Sequence, residues 1–116
     1  VERDQVFKTL VVIADGKPAV AIVPVSCQLS LKLAGAALGT KRVAMCDSTL
    51  AERTTGYVVG GISPFGQRKR LPTVVDETCE RYDQIYVSGG RRGIDLGIAP
   101  SDLLHVLAAT IAPLTA

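Results

Sequence analysis

Tryptophan is absent from the 116 residues, and aromatic residues of all kinds make up only 4% of them. A core must therefore be built from the plentiful Val, Leu, Ile and Ala, which also make the mean hydropathy positive. A single domain of this length can bury roughly two-thirds of the surface its unfolded chain exposes, so such a core is feasible. No apolar run approaches the ~20 residues of a membrane-spanning helix. The longest is Pro18 to Val25, and no basic-then-apolar leader opens the chain. These absences predict a soluble, cytoplasmic protein.

Histidine occurs once, at His105, inside a stretch that reads as an amphipathic helix. A Ser/His or Cys/His nucleophile would need that one residue to reach the site. Cys27, Cys46 and Cys79 are odd in number, widely spaced and in no CxxC pair. That argues against a disulfide framework and a zinc site, and leaves three inert, reduced thiols. No His/Cys/Asp cluster has metal-ligand spacing, so neither metal nor cofactor is expected. There is no Walker-type GK[ST]. The Gly-Gly-x-x-Gly of residues 89–93 precedes another strand-like run, IDLGI, so it offers no helix N-terminus to a pyrophosphate.

What is present reads as one domain over residues 1–116. Gln5 to Ala14 and Pro18 to Val25 are β-branched runs around Asp15-Gly16, a strong hairpin signal. Both runs are apolar on both faces, as strands covered from two sides are. Ser30 suits the cap of a helix through Leu38, closed by Gly39. Lys41 to Cys46 reads as a strand, and a second helix starts at Asp47 or Ser48. Thr49 and Glu52 have capping-box spacing, and Gly56 ends that helix. Residues 57–72 read as a short strand, an irregular Gly/Pro loop and a return. Thr73 to Asp76 is a strand and Glu77 to Arg81 a polar connection. Gln84 to Val87 and the segment carrying Asp95 are two strands around a Gly89-Gly90 turn. A last helix starts at Pro100, with an apolar stripe of Leu103, Val106, Leu107 and Ile111 running to Pro113. Strands outnumber helices and hairpins occur, which predicts an α+β fold whose mixed or antiparallel sheet curls towards a barrel.

Polar residues stand out against this apolar pattern. Lys8 interrupts the first strand, and Ser88 and Asp95 lie in strands otherwise made of Ile, Tyr, Val and Leu. Buried polar groups are costly without partners, so each needs one, from the protein or from a ligand. Taken singly, a structural role is the better explanation for each of them, as it is for Gly60-Gly61. The net charge of +2 announces no partner, but five of thirteen basic residues fall in two Gly-flanked loops, Arg68-Lys69-Arg70 and Arg91-Arg92. Solvated loops explain them first and a phosphate-facing surface second.

Three segments taken together closely resemble a known family. They are VFKTL at 6–10, TGYVVGGISPFGQRKRLPTVVD at 55–76 and IYVSGGRRGIDLGI at 85–98. The resemblance is to the YbaK family of free-standing Cys-tRNA(Pro) deacylases, relatives of the editing domain of bacterial prolyl-tRNA synthetases. It implies a mixed, barrel-like sheet flanked by helices, hydrolysis of the ester joining a wrong amino acid to tRNA(Pro), and prolyl-tRNA synthetase as partner. By matched position it implies Lys8, Gly60, Ser88 and Asp95 as catalytic residues. Thr9, Gly61, Ser63, Gly89 and Gly90 become substrate contacts, and the basic loops, Arg68, Lys69 and Arg70 with Arg91 and Arg92, become tRNA contacts, with Arg91 and Arg92 at the pocket's rim. Thr9 and the Ser-Gly-Gly motif point to the cysteine-specific branch, where the substrate's own thiol attacks the ester. Family members carry a few tens of residues before the lysine motif, including a pocket tyrosine, so a preceding segment is expected to be missing before Val1. A non-catalytic module that binds aminoacyl-tRNA or an amino acid, an editing enzyme for another small amino acid, and a scaffold domain stay open beside this reading.

Overall fold

The Asp15-Gly16 dipeptide does what its chemistry predicts. Both residues take positive φ, 48° and 84°, the pairing that a two-residue hairpin turn demands. It joins β1 (Phe7–Ala14) to β2 (Lys17–Pro24) in an unbroken antiparallel register from Ala14↔Lys17 to Phe7↔Pro24. The structure, a computed structural model, describes residues 2–116.

Around this hairpin a five-stranded mixed sheet forms in the order β3-β1-β2-β4-β7. β3 (Val43–Met45) runs antiparallel to β1 on one edge. β4 (Thr73–Asp76) and β7 (Thr110–Ala112) add parallel strands on the other. From Ala19 to Pro24 every residue of β2 is buried, as a central strand covered on both faces should be. α1 (Leu31–Leu38) lies against one face, capped by the Ser30 hydroxyl, which accepts from Leu33 N–H, and closed by Gly39 at φ 71°. A separate antiparallel pair, β5 (Ile85–Arg91) and β6 (Ile94–Ile98), covers the other face. Phe7, Val20, Ile22, Val75, Cys79, Ile85, Val87 and Leu103 form the main core where the two sheets meet. α3 (Pro100–Leu107) contributes its buried Leu103 there. The sheet remains open. β1 touches the second sheet through a parallel bridge, Val6↔Tyr86, and no further strand closes a barrel among the described residues.

Four local expectations change. Residues 57–72 contain no strand; the segment is an irregular loop pinned from outside. The Tyr57 hydroxyl donates to Phe65 C=O, and the Glu52 carboxylate accepts from Val59 N–H at 2.9 Å. Glu52 is thus spent on that loop rather than on a capping box. α2 (Ser48–Thr55) is instead capped by Asp47, which accepts from Leu50 N–H. The turn between β5 and β6 falls at Arg92-Gly93, and Gly89-Gly90 forms a bulge inside β5, between the pairs Ser88↔Asp95 and Arg91↔Ile94. The last helix stops at Leu107, because Ala108 turns left-handed at φ 50°. Ile111 then belongs to β7 and pairs with Val75. Glu77–Arg81 forms a short 3-10 helix capped by Asp76. Asp76 is 1% exposed and also accepts from Leu114 N–H at 2.8 Å, which ties the chain's last residues to β4.

Candidate active site

A gap in the main sheet makes the site. Ala14↔Lys17 flanks a two-residue turn, so it is a hydrogen-bonded pair. Alternation then directs the backbone groups of Lys8, Leu10 and Val12 to β2, and those of Thr9 and Val11 to the opposite edge. β3 occupies that edge from Val12 onwards, and a Cys46 N–H to Val11 C=O bond at 3.1 Å is its last tie to β1. At the other end the second sheet joins at Val6. Between the two, the edge at Thr9 opens into a cavity of about 400 Å³.

Lys8, Thr9, Gly60, Ser88 and Asp95 all line this cavity. They come from three segments separated by some fifty and then nearly thirty residues, and neither sheet alone holds them. Lys8 and Thr9 are neighbours on a strand, yet both line the cavity, because it opens at the strand's edge, where the two faces meet. Val11, Ala51 and Ile62 pack together as an apolar wall. Thr9 is 8% exposed, and its Oγ1 has no hydrogen-bond partner among the described residues. A buried hydroxyl left in that state costs about 1–3 kcal/mol and marks a place where a ligand atom can bond. Ser88 and Asp95 are cross-strand partners, so their side chains share one face of the second sheet. The Ser88 Oγ accepts from Gly90 N–H at 3.2 Å, which leaves its own O–H free to donate.

The glycine loop contributes in a narrower way than Gly60 and Gly61 together would. Gly61 is buried outside the cavity, and its N–H is already bonded to Val58 C=O at 2.9 Å. Val59 N–H is held by Glu52. Gly60 lines the cavity and its N–H has no acceptor among the described residues, so it is a donor the loop leaves available there. Gly60 adopts φ 94°, and a Cβ there would stand 2.5 Å from the Arg92 Nε. The positive φ favours glycine, while the exposed Arg92 side chain could swing away from a Cβ.

The remaining sequence expectations are distributed around this centre. Ser63 is 2% exposed and outside the cavity, its Oγ accepting from Phe65 N–H. Gly89 lies under Ile94 and Leu96, and Gly90 packs against the Tyr57 ring. Neither lines the cavity, so both act on it through the bulge they form. Arg91 and Arg92 border an adjoining depression that shares Val59 with the cavity. Arg68 packs over Gly56, while Lys69 and Arg70 line a separate hollow beside α3. These three basic residues are not brought to the cavity.

Cys46 and Met45, at the end of β3, line the cavity too, and nothing in the sequence marked them. Burial first, and then the Asp47 carboxylate, push the Cys46 thiol above its usual range. It stays protonated at neutral pH and is a poor nucleophile. His105 lies in α3, away from the cavity lining. Among the described residues no group of three or more His, Cys, Asp and Glu side chains could hold a metal.

An apolar wall, an orphan hydroxyl, a lysine, a carboxylate and a free glycine N–H suit a small amino-acid ester. Residues 1–106 match the family model of the aminoacyl-tRNA editing domain. The chain belongs to that family. The editing domain is 38% identical to EbsC of Enterococcus faecalis over 99% of this chain and 71% of EbsC. That protein carries the provisional name Cys-tRNA(Pro)/Cys-tRNA(Cys) deacylase. It is also 33% identical, over 69% of this chain, to 14% of the proline–tRNA ligase of Citrifermentans bemidjiense. Among solved structures it superposes with a TM-score of 0.91 on a protein provisionally named a trans-editing enzyme for prolyl tRNA synthetase. The identity there is 26%, covering 100% of this chain and 73% of the other. The mixed sheet with flanking helices is thus the fold of this editing domain. No helix among the described residues is long and apolar enough to cross a membrane.

Proposed function

We propose that this editing domain is an aminoacyl-tRNA deacylase that removes a wrong amino acid from tRNA(Pro), with Cys-tRNA(Pro) as its substrate and prolyl-tRNA synthetase as the source of the error. The convergence of Lys8, Thr9, Gly60, Ser88 and Asp95 on one cavity carries the reading. At about 400 Å³ the cavity lies in the roughly 300–1,000 Å³ range of small-ligand sites.

The chemistry follows from what the cavity lacks as well as from what it holds. Neither Cys46, held as a thiol, nor the distant His105 supplies a nucleophile, which leaves water or the substrate; as the family resemblance implies, the substrate thiol takes that part. Its sulfur attacks the carbonyl carbon of its own ester and a C–S bond forms. The C–O bond to the ribose breaks, and the departing ribose oxygen takes up a proton. The cysteinyl group leaves as a thiolactone, which water then opens. Gly60 N–H faces the carbonyl oxygen as negative charge develops on it, a donor worth about 10²–10³ in rate at comparable sites. The Lys8 ammonium favours the attacking thiolate and the terminal ribose-phosphate. Asp95 takes the α-ammonium group, Ser88 orients it, and Thr9 Oγ1 gains the partner it lacks in the empty protein.

Single-turnover deacylation tests this. Cys-tRNA(Pro) loses its ester with the wild-type protein, Lys8→Ala slows the loss by at least about 10²-fold, and Ser-tRNA(Pro) reacts far more slowly than its cysteinyl counterpart. Retention of Cys-tRNA(Pro) with the ester intact would make the protein a binding module. Equal rates for the two esters would make water, not the substrate thiol, the nucleophile.

A further inference from the structure

Five of the thirteen basic residues fall in the two Gly-flanked loops, and the fold gathers a third cluster from α1 and the loop that follows it. At the opposite end of β3 from the site, Lys32 of α1 meets Lys41 and Arg42 of the α1–β3 loop around a concavity of about 590 Å³. Its lining includes Ile13 of β1 and Ala44 of β3, and among the described residues no carboxylate lines it. The nearby Asp15 carboxylate accepts from the backbone N–H groups of Lys41 and Arg42, at 3.2 and 2.9 Å. That fixes the loop's backbone and leaves both cationic side chains exposed. Lys32 stands in the first turn of an eight-residue helix, where the macrodipole disfavours a cation by about 0.3–1 kcal/mol. Helix stability does not account for a lysine there.

Position relative to the catalytic cavity gives the cluster its meaning. Ile13 and Ala44 are cross-strand partners at the basic concavity. The next same-face step of that ladder, Val11 and Cys46, lines the catalytic cavity. Two residues along a strand span ~7 Å, so the basic concavity adjoins the catalytic cavity along the β3 edge. A nucleic-acid strand whose aminoacyl end occupies the cavity and which runs on along this edge would carry its preceding phosphates over Lys41, Arg42 and Lys32.

We propose that Lys32, Lys41 and Arg42 form the surface that receives the sugar-phosphate backbone of the tRNA acceptor strand, so that the strand enters along the β3 edge. The inference rests on the function proposed above for its substrate, but its test needs only binding. Retention of uncharged tRNA(Pro) is measured over a salt series for the wild-type protein, for Lys41→Gln/Arg42→Gln, and for Arg3→Gln/Arg81→Gln, which removes the same charge from exposed residues elsewhere. The first pair weakens retention about tenfold or more and lowers the log–log salt slope by about 1.5, as loss of two phosphate contacts requires. Adding Lys32→Gln lowers both again, and the Arg3/Arg81 pair leaves the slope near the wild-type value. Equal effects of the two pairs, no effect of either, or no retention by the wild-type protein at low salt would each overturn the proposal. Weakened retention by a protein that leaves Cys-tRNA(Pro) intact would sustain this surface and defeat the proposed activity.

Discussion

The molecule contains two β-hairpins, and they solve opposite problems. In β1–β2 the register is unbroken, the turn is two residues long, and β2 is buried from Ala19 to Pro24. In β5–β6 the register breaks at Gly89-Gly90, and β6 is exposed along all but Ile98. The first hairpin is centre and scaffold, while the second is a cover with one end outside the core. The polar residues of the candidate site divide accordingly. Lys8 and Thr9 stand where the scaffold has a free edge, and Ser88 and Asp95 where the cover overhangs it. Regular pairing leaves no room for a ligand; the cavity exists because one partner strand departs early and the other is irregular.

Deleting equivalent apolar volume from each hairpin should separate scaffold from cover most strongly. Ile22 is fully buried and Leu96 is 46% exposed. In denaturant unfolding Ile22→Ala should cost about 2–5 kcal/mol, and Leu96→Ala less than about 0.5 kcal/mol. Equal costs would mean that the cover is as much core as the scaffold.

A smaller effect tests the seam where the hairpins meet. Cys79 packs there against Phe7, Ile22 and Val87, and burial, then Glu80 and Asp76, push its thiol up to about 11 from an unfolded value of 9.0. The folded state therefore keeps a proton that the unfolded chain gives up. Stability is undiminished below pH 9 and falls as pH rises from 9 towards 11, by an amount on the order of 2 kcal/mol. Denaturation at pH 8 and pH 10.5 should show the fall, and Cys79→Ala, less stable at pH 8, should lose this part of the pH dependence.

The smallest change in stability concerns the bulge. Gly90 has φ 106°, and a Cβ would sit 3.1 Å from the Tyr57 ring, whereas Gly16, at φ 84°, has open space around it. Gly90→Ala should cost about 1–2 kcal/mol of backbone strain and slow deacylation further than Gly16→Ala does, because Gly90 N–H holds the Ser88 hydroxyl. Matching losses of activity in both variants would deny the bulge any role in the site.

The scaffold hairpin was legible in the sequence because its signals are local. Asp15-Gly16, Ser30, Gly39 and Pro100 each fix the backbone beside them, and each lies where its chemistry predicts. The cover was less legible. Gly89-Gly90 and Arg92-Gly93 are both credible turns, and only the pairing of Ser88 with Asp95 chooses between them. The 57–72 loop is shaped by Glu52 and Tyr57 through contacts that no periodicity records. Lys8, Gly60, Ser88 and Asp95 were named through resemblance; their residue types alone said only that polar groups interrupt apolar strands. Cys46 at the cavity had no signal, since proximity between distant segments places it there, and the Lys32, Lys41 and Arg42 cluster depends on how α1 and the following loop fold back beside β3.

The orphan hydroxyl of Thr9 has a thermodynamic corollary. A fold that buries it unpaired sits above the minimum available to the same chain with an isosteric valine there, by about 1–3 kcal/mol. A ligand atom that bonds it recovers that difference, which corresponds to a gain of roughly 5- to 150-fold in affinity. If the proposed substrate bonds this hydroxyl, part of its affinity is held beforehand as withheld stability, and a Thr9→Val variant would gain stability while losing affinity.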